Sequence, residues 1–303
     1  MPKRNPEPRR TQTCAPRLRV SEARAMYLDS YFSRIRFEGP RTVTLETLNA
    51  VLRHHVETIP FENLSVLLGE PISLEPADLF HKFLKQKRGG YCFEHNTLLL
   101  HVLNALGFNV TAMSARVRFQ RPERYSLPRT HLCLRVTLDG QELLVDGGFG
   151  ALSLTAALRL VPDVEQRTPH ETRRLVCEGQ WEGLKLREPD AAIVHQAYLG
   201  GAWHPLYEFT LEHMPAPDRE MGNWYTSCHP NSHFRTQLMA ARATHEGRIS
   251  IHNRELTLRF PDGSAQSRLL QTHDELLEAL AEHFELTLPP ATRLLCPGLA
   301  ELQ

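Results

Sequence analysis

Among the six cysteines of this 303-residue chain, Cys92 is the one whose neighbours give a thiol reason to react. It lies in Arg88-Gly89-Gly90-Tyr91-Cys92-Phe93-Glu94-His95-Asn96, ahead of an apolar run through Leu98, Leu99, Leu100, Val102, Leu103 and Leu106 to Gly107. That run reads as a buried helix with a glycine stop, which places Cys92 in or just before its first turn. Free backbone N–H groups and the positive end of the helix dipole favour an anionic sulfur there. Gly89 and Gly90 let the backbone approach another group closely, and Arg88 adds positive charge. Cys14, Cys133, Cys177, Cys228 and Cys296 are irregularly spaced with no CxxC pair, so neither a zinc site nor a disulfide framework is indicated.

A thiol nucleophile needs a base, and the base needs an orienting partner. Leu132, Leu134, Val136 and Leu138 alternate, which makes a strand with His131 on the opposite face. Asp139-Gly140 is a two-residue hairpin turn leading to a second strand that ends at Asp146. In that register Leu138 faces Gln141 and Cys133 faces Asp146, so His131 and Asp146 become diagonal neighbours on one face. Diagonal neighbours stand roughly 7–8 Å apart at the backbone, within reach of an imidazole for a carboxylate. Asp146 would then hold one ring nitrogen of His131 and leave the other for the proton of Cys92. A papain-like cysteine hydrolase, with water as acceptor, uses the same logic.

Two other constellations carry less. His229 and His233 have metal-ligand spacing, but Pro230 between them opposes a regular helix, so they read as loop histidines. Gly147, Gly148 and Gly150 follow a strand without a GxGxxG or P-loop pattern, and suit a loop that lets a substrate or acyl group approach.

The elements that must position these residues can be read coarsely. Ser21 to about Ile35 forms a helix, Thr44 caps a second, Glu75-Pro76 opens a third with the stripe Leu79, Phe80, Phe83 and Leu84, and the Cys92 helix is the fourth. Strand-like patterning runs from Phe108 to about Gly150 and again from Leu175 to Leu186, as expected for a small β-barrel or curled sheet. Tyr207, Phe209 and Leu211 alternate, as do Leu256, Leu258 and Phe260 before the turn Asp262-Gly263. Thr272-His273-Asp274-Glu275 is a capping box for a final helix. The fold class is α+β. The pattern divides the chain into a basic, proline-rich disordered tail over 1–20, a helical stretch over 21–107 bearing Cys92, a strand-rich stretch over 108–205 bearing His131 and Asp146, and a mixed α/β stretch over 206–303.

Thirty-five basic and 35 acidic residues balance, so no electrostatic footprint for nucleic acid or an anionic membrane is visible. No apolar run approaches the roughly 20 residues that span a bilayer. The tail has no apolar h-region and is not a secretory signal. Unpatterned cysteines fit a reducing cytoplasm. Self-association into a homo-oligomer is compatible with all of this.

The Cys92 segment resembles the active-site motif of the arylamine N-acetyltransferase family. Further family marks fall in order: Tyr31-Phe32-Ser33-Arg34-Ile35, Ile59-Pro60-Phe61-Glu62-Asn63-Leu64, His131, Val145-Asp146-Gly147-Gly148-Phe149-Gly150, and Asn223 through Phe234 with its Ser-Cys-His-Pro where the family has Ser-Thr-His-Pro. Gly147 stands where valine is common in the family. The resemblance runs from about Glu22 to about Pro290. It implies a helical bundle, a β-barrel and an α/β lid, with a Cys92-His131-Asp146 triad. It also implies acetyl-CoA as co-substrate with no metal, and Phe61, Phe149 and Phe234 as the lining of an acceptor pocket. The implied reaction is ping-pong acetyl transfer through an acetyl-cysteine to arylamines, arylhydrazines and N-hydroxyarylamines, as in xenobiotic metabolism. Amide synthases that close macrocyclic polyketides share the fold and are the alternative it leaves.

Overall fold

In the computed structural model the described residues are 20–121, 127–179, 181–182, 185–186, 191–294 and 296–302. The tail expected over 1–20, including Cys14, falls outside them but for its last residue. The fold is mixed α+β, with a helical N-terminal third, a large curled sheet and a second, smaller sheet.

The helical third comprises α1 (Val20–Arg34), α2 (Leu45–Thr58), α3 (Leu64–Leu67), α4 (Pro76–Phe80) and α5 (Cys92–Leu106). Thr44 caps α2 by accepting from the Thr47 N–H at 3.2 Å. Pro76 starts α4 at a position where a missing N–H costs nothing. The expected third helix does not stay α-helical, because after Phe80 it widens into a π-helical turn, His81–Lys85, which keeps Phe83 fully buried. α5 is buried nearly all round from Cys92 to Leu103, as a helix at the centre of a core must be. Burying each of Leu98, Leu99, Val102 and Leu103 stabilises by about 1.5–3 kcal/mol. Gly107 ends the helix at φ 104°, a left-handed conformation that glycine adopts without penalty.

One strand lies within this third, β1 (Phe61–Glu62). Next come β2 (Asn109–Val117), β3 (His131–Leu138), β4 (Gln141–Val145), β5 (Leu158–Arg159), β6 (Gln166–Arg167) and β7 (Thr172–Glu178). A two-stranded ribbon, β8 (Trp181–Glu182) and β9 (Lys185–Leu186), precedes β10 (Ala192–Leu199) and β11 (Ala202–His213). The eight-stranded sheet has the order β5-β4-β3-β2-β11-β10-β7-β6. Its edges meet: the Gln166 side chain exchanges two hydrogen bonds with the Arg159 backbone, at 2.8 and 2.9 Å, leaving a nearly closed barrel. The expected boundary at 205/206 lies inside β11, whose Tyr207 and Phe209 are buried on the face the alternation marked.

The remaining elements are α6 (Ala216–Cys228), α7 (His233–Thr236), β12 (Met239–Thr244), β13 (Gly247–His252), β14 (Glu255–Arg259), β15 (Ala265–Leu269) and α8 (His273–Phe284). The smaller sheet, β1-β12-β13-β14-β15, recruits its first strand from the helical third, pairing Phe61 with Ala241. α8 packs on it through Leu276, Leu280 and Phe284 in a second core. Thr272 accepts from the Glu275 N–H, and the Glu275 carboxylate accepts in turn from Gln271 rather than from Thr272, so the capping box closes one residue early.

Candidate active site

The Asp139-Gly140 turn has φ values of 49° and 74°, the left-handed pair a tight hairpin needs. It pairs Leu138 with Gln141 and continues to Leu134 with Val145, which is the register expected from the turn alone. Asp146 follows directly. Its Oδ2 accepts from His131 Nε2 at 2.7 Å, with both residues buried. The other ring nitrogen, Nδ1, makes no such bond to the carboxylate, and the neighbouring Cys92 side chain adds to the pull that keeps the imidazole protonated.

Cys92 is the first residue of α5. Its Sγ lies 3.6 Å from the Thr130 carbonyl oxygen, just ahead of His131 in the chain. The Tyr91 N–H donates to Glu94 Oε2 at 3.1 Å, and Lys82 Nζ holds the other oxygen at 2.6 Å, which fixes the helix start. Burial still pushes the Glu94 carboxyl above its ordinary range.

Electrostatics bind the imidazole and carboxylate as an ion pair. Burial alone would lower the pKa of His131, but the charge of Asp146, its hydrogen bond and the Cys92 side chain raise it to about 10. Burial likewise opposes the charge of Asp146, yet His131, Asn96 and the Gly148 N–H hold its carboxyl below the usual range.

Asn96, in the sequence only a letter of the Cys92 segment, organises this end of the barrel. Its Nδ2 donates to Asp146 Oδ1 at 2.8 Å and to the Leu132 carbonyl at 2.6 Å, while its Oδ1 accepts from the Gly147 N–H at 3.0 Å. The signal available was its spacing, four residues past Cys92 and so on the same helix face. For Tyr207 the alternation with Phe209 and Leu211 marks a strand face and no site; its ring packs 4.8 Å from that of His131 and 5.0 Å from that of Phe149.

The three expected pocket aromatics converge. Phe149 lies edge-on to His131 at 5.0 Å, and Phe61 and Phe234 are 6.2 Å apart. Gly150 follows Phe149 at φ 60° and lies against Phe61, a Cβ there standing 3.5 Å from the Phe61 ring. Asn63 ties the two remaining segments: its side chain donates to the carbonyls of Phe234 and Gln237 and accepts from the Met239 N–H at 2.8 Å. Glu62, on β1, takes two hydrogen bonds from Arg88, at 2.9 and 3.2 Å, and others from the backbone of Leu64 and Gly89. Burial opposes its charge, but Arg88 and Lys82 outweigh this and its carboxyl is lowered. His229 and His233 flank the short link between α6 and α7, and among the described residues no group of three His, Cys, Asp or Glu stands where it could hold a metal. No helix among them is long and apolar enough to cross a membrane.

A buried thiol, an imidazole that favours its proton and a carboxylate holding that imidazole are the groups that nucleophilic acyl transfer calls for, here on an α+β scaffold. The chain belongs to the arylamine N-acetyltransferase family: the N-acetyltransferase family pattern matches residues 44–293. An arylamine N-acetyltransferase of Mycolicibacterium smegmatis is 39% identical over 268 residues, 87% of this chain and 93% of that protein. The solved M. smegmatis arylamine N-acetyltransferase superposes with a TM-score of 0.81 at 38% identity, covering 91% of this chain and 98% of its own. That of Mycobacterium marinum in complex with CoA gives 0.78 at 35% identity, over 85% of this chain and 92% of its own.

Proposed function

We propose that the protein transfers an acetyl group from acetyl-CoA to the nitrogen of arylamines and arylhydrazines by a ping-pong route through Cys92. The observation that carries this reading is the 2.7 Å contact of Asp146 with His131, whose free ring nitrogen addresses Cys92 at the start of α5. Support for the donor is the CoA bound to the related M. marinum enzyme.

In the first half-reaction the Cys92 sulfur attacks the thioester carbonyl, forming an S–C bond. The bond to the CoA sulfur breaks, and the leaving thiolate takes the proton from His131. In the second, an amine nitrogen attacks the acetyl carbon and the Cys92 S–C bond breaks. His131 receives the amine proton, and Asp146 keeps the imidazole oriented throughout. First-turn N–H groups of α5 would steady the oxyanion in both steps. An arylamine is a weak base and stays unprotonated at neutral pH, so it arrives as a nucleophile. Phe61, Phe149 and Phe234 would receive its ring.

A related enzyme of Salmonella typhimurium is also named an N-hydroxyarylamine O-acetyltransferase, so N-hydroxyarylamines are candidate acceptors here. The free cysteines agree with a reducing cytoplasm, where such chemistry would serve xenobiotic metabolism. Incubation with acetyl-CoA followed by intact-mass measurement tests the route. A single acetyl group on Cys92, discharged by an arylamine and absent in Cys92→Ala, is the expected result. Retained turnover in Cys92→Ala would overturn it.

A further inference from the structure

Beneath the first turns of α5, three side chains that take no part in the acyl chemistry form an unbroken hydrogen-bonded chain. Tyr31 Oη lies 2.9 Å from His55 Nδ1, His55 Nε2 lies 2.7 Å from His95 Nδ1, and His95 Nε2 lies 3.1 Å from the Pro60 carbonyl oxygen. All three residues are fully buried.

The last link fixes the direction of every proton. A carbonyl only accepts, so His95 Nε2 carries a hydrogen. Burial lowers His95 to about 4 and pushes His55 well below its ordinary value, so each ring has one N–H and one bare nitrogen. His95 Nδ1 therefore accepts from His55 Nε2, and His55 Nδ1 accepts from the Tyr31 hydroxyl. Every ring nitrogen is used, and the chain has one arrangement.

It terminates on the residue before Phe61. The His95 ring lies nearly parallel to that of Phe61, at 6.3 Å and 16°, and edge-on to Phe83 at 5.2 Å. The backbone is tight here, since a Cβ on Gly89 would come 1.8 Å from the Pro60 oxygen. Room for the chain is made beside Asp146. A Cβ on Gly147 would lie 3.1 Å from His55 Cδ2 and 2.6 Å from Leu99 Cδ1.

We propose that Tyr31, His55 and His95 are positioning residues for the acceptor amine: their proton-ordered chain sets the Pro60-Phe61 backbone, and with it the Phe61 ring facing Phe234. The proposal rests on Cys92 as acetyl carrier and Phe61 as acceptor wall. Its consequence is an asymmetry between the half-reactions. Acetylation of Cys92 does not need the Phe61 wall, whereas capture of the amine does.

The two steps are measured separately on the full-length protein, acetylation by intact mass after mixing with acetyl-CoA and discharge by aniline over a range of concentrations. In His95→Leu the half-saturating aniline concentration should rise about tenfold, the worth of one buried hydrogen bond. The acetylation rate should stay near wild type. His95→Gln, whose amide N–H still reaches the Pro60 oxygen, should restore most of the affinity. Tyr31→Phe removes a single oxygen and should raise the same concentration by about threefold; it carries the test if His95→Leu does not fold. Equal slowing of both steps would mark a merely structural role and overturn the proposal, as would unchanged discharge. Failure of wild-type Cys92 to acetylate would instead overturn the reading on which it rests.

Discussion

Asn96 Nδ2 donates to Asp146 Oδ1 at 2.8 Å from a position one helical turn beyond Cys92. One helix thus carries both the sulfur and the amide that holds the carboxylate facing His131. The contact ties the seat of α5 to the carboxylate that follows β4. Asn96→Ala would leave Asp146 Oδ1 with only the Gly148 N–H and free the Gly147 N–H. We expect kcat to fall on the order of 100-fold from misplacement of the imidazole. Stability should fall by about 1–3 kcal/mol from the unsatisfied buried groups. Steady-state acetylation of an arylamine and urea denaturation check the two effects.

Gly148 lies against the same helix start. A Cβ there would stand 2.9 Å from both Cys92 Cα and Asn96 Nδ2, and the former is backbone that cannot swing aside. Gly148→Ala should therefore push the loop off α5, costing about 1–3 kcal/mol and suppressing acetylation of Cys92. Thermal denaturation and the intact-mass assay report this, and near-wild-type acetylation would contradict it.

The ion pair in the site gives stability a pH dependence. Folded His131 keeps its proton up to about pH 10, against an ordinary value of 6.5. Its contribution is therefore complete below 6.5 and is lost as pH rises through 10. Denaturation midpoints of wild type should decline between pH 7 and 9.5. His131→Gln should remove that part of the decline, and parallel profiles for the two proteins would count against the pairing.

A second pH effect has the opposite sign and a different place. Glu171 accepts from Arg173 on β7 and Arg248 on β13, clamping the barrel to the smaller sheet, while Arg173 and Arg248 also reach the carbonyls of Leu152 and Ser153. Burial opposes its charge, but the two guanidinium groups lower its carboxyl from 4.5 to about 2. That stabilisation, about 3 kcal/mol for a shift of this size, is present above 4.5 and lost as pH falls toward 2. Glu171→Gln, which strands two buried guanidinium groups, should lower the melting temperature at pH 7 by several degrees and flatten its decline on acidification.

Features that rest on short-range geometry are written in the order of residues. A two-residue turn at Asp139-Gly140 admits one register, and side chains alternate with a period of two, so His131 and Asp146 had to share a face. Thr44, Pro76 and Gly107 mark helix ends because their backbone chemistry acts within one turn. The π-helical widening at His81–Lys85 was not legible, since burial of Phe83 against distant residues overrides the local preference. Which groups from separate elements meet depends on packing across the whole fold. Asn96 reaches Asp146 across 50 residues, Asn63 joins the Phe61 and Phe234 segments across 171, and Tyr207 backs His131 from another strand. Such contacts depend on how α5 seats against β3 and on which sheet recruits β1. That seating is chosen by the packing of the whole core, which no local pattern encodes.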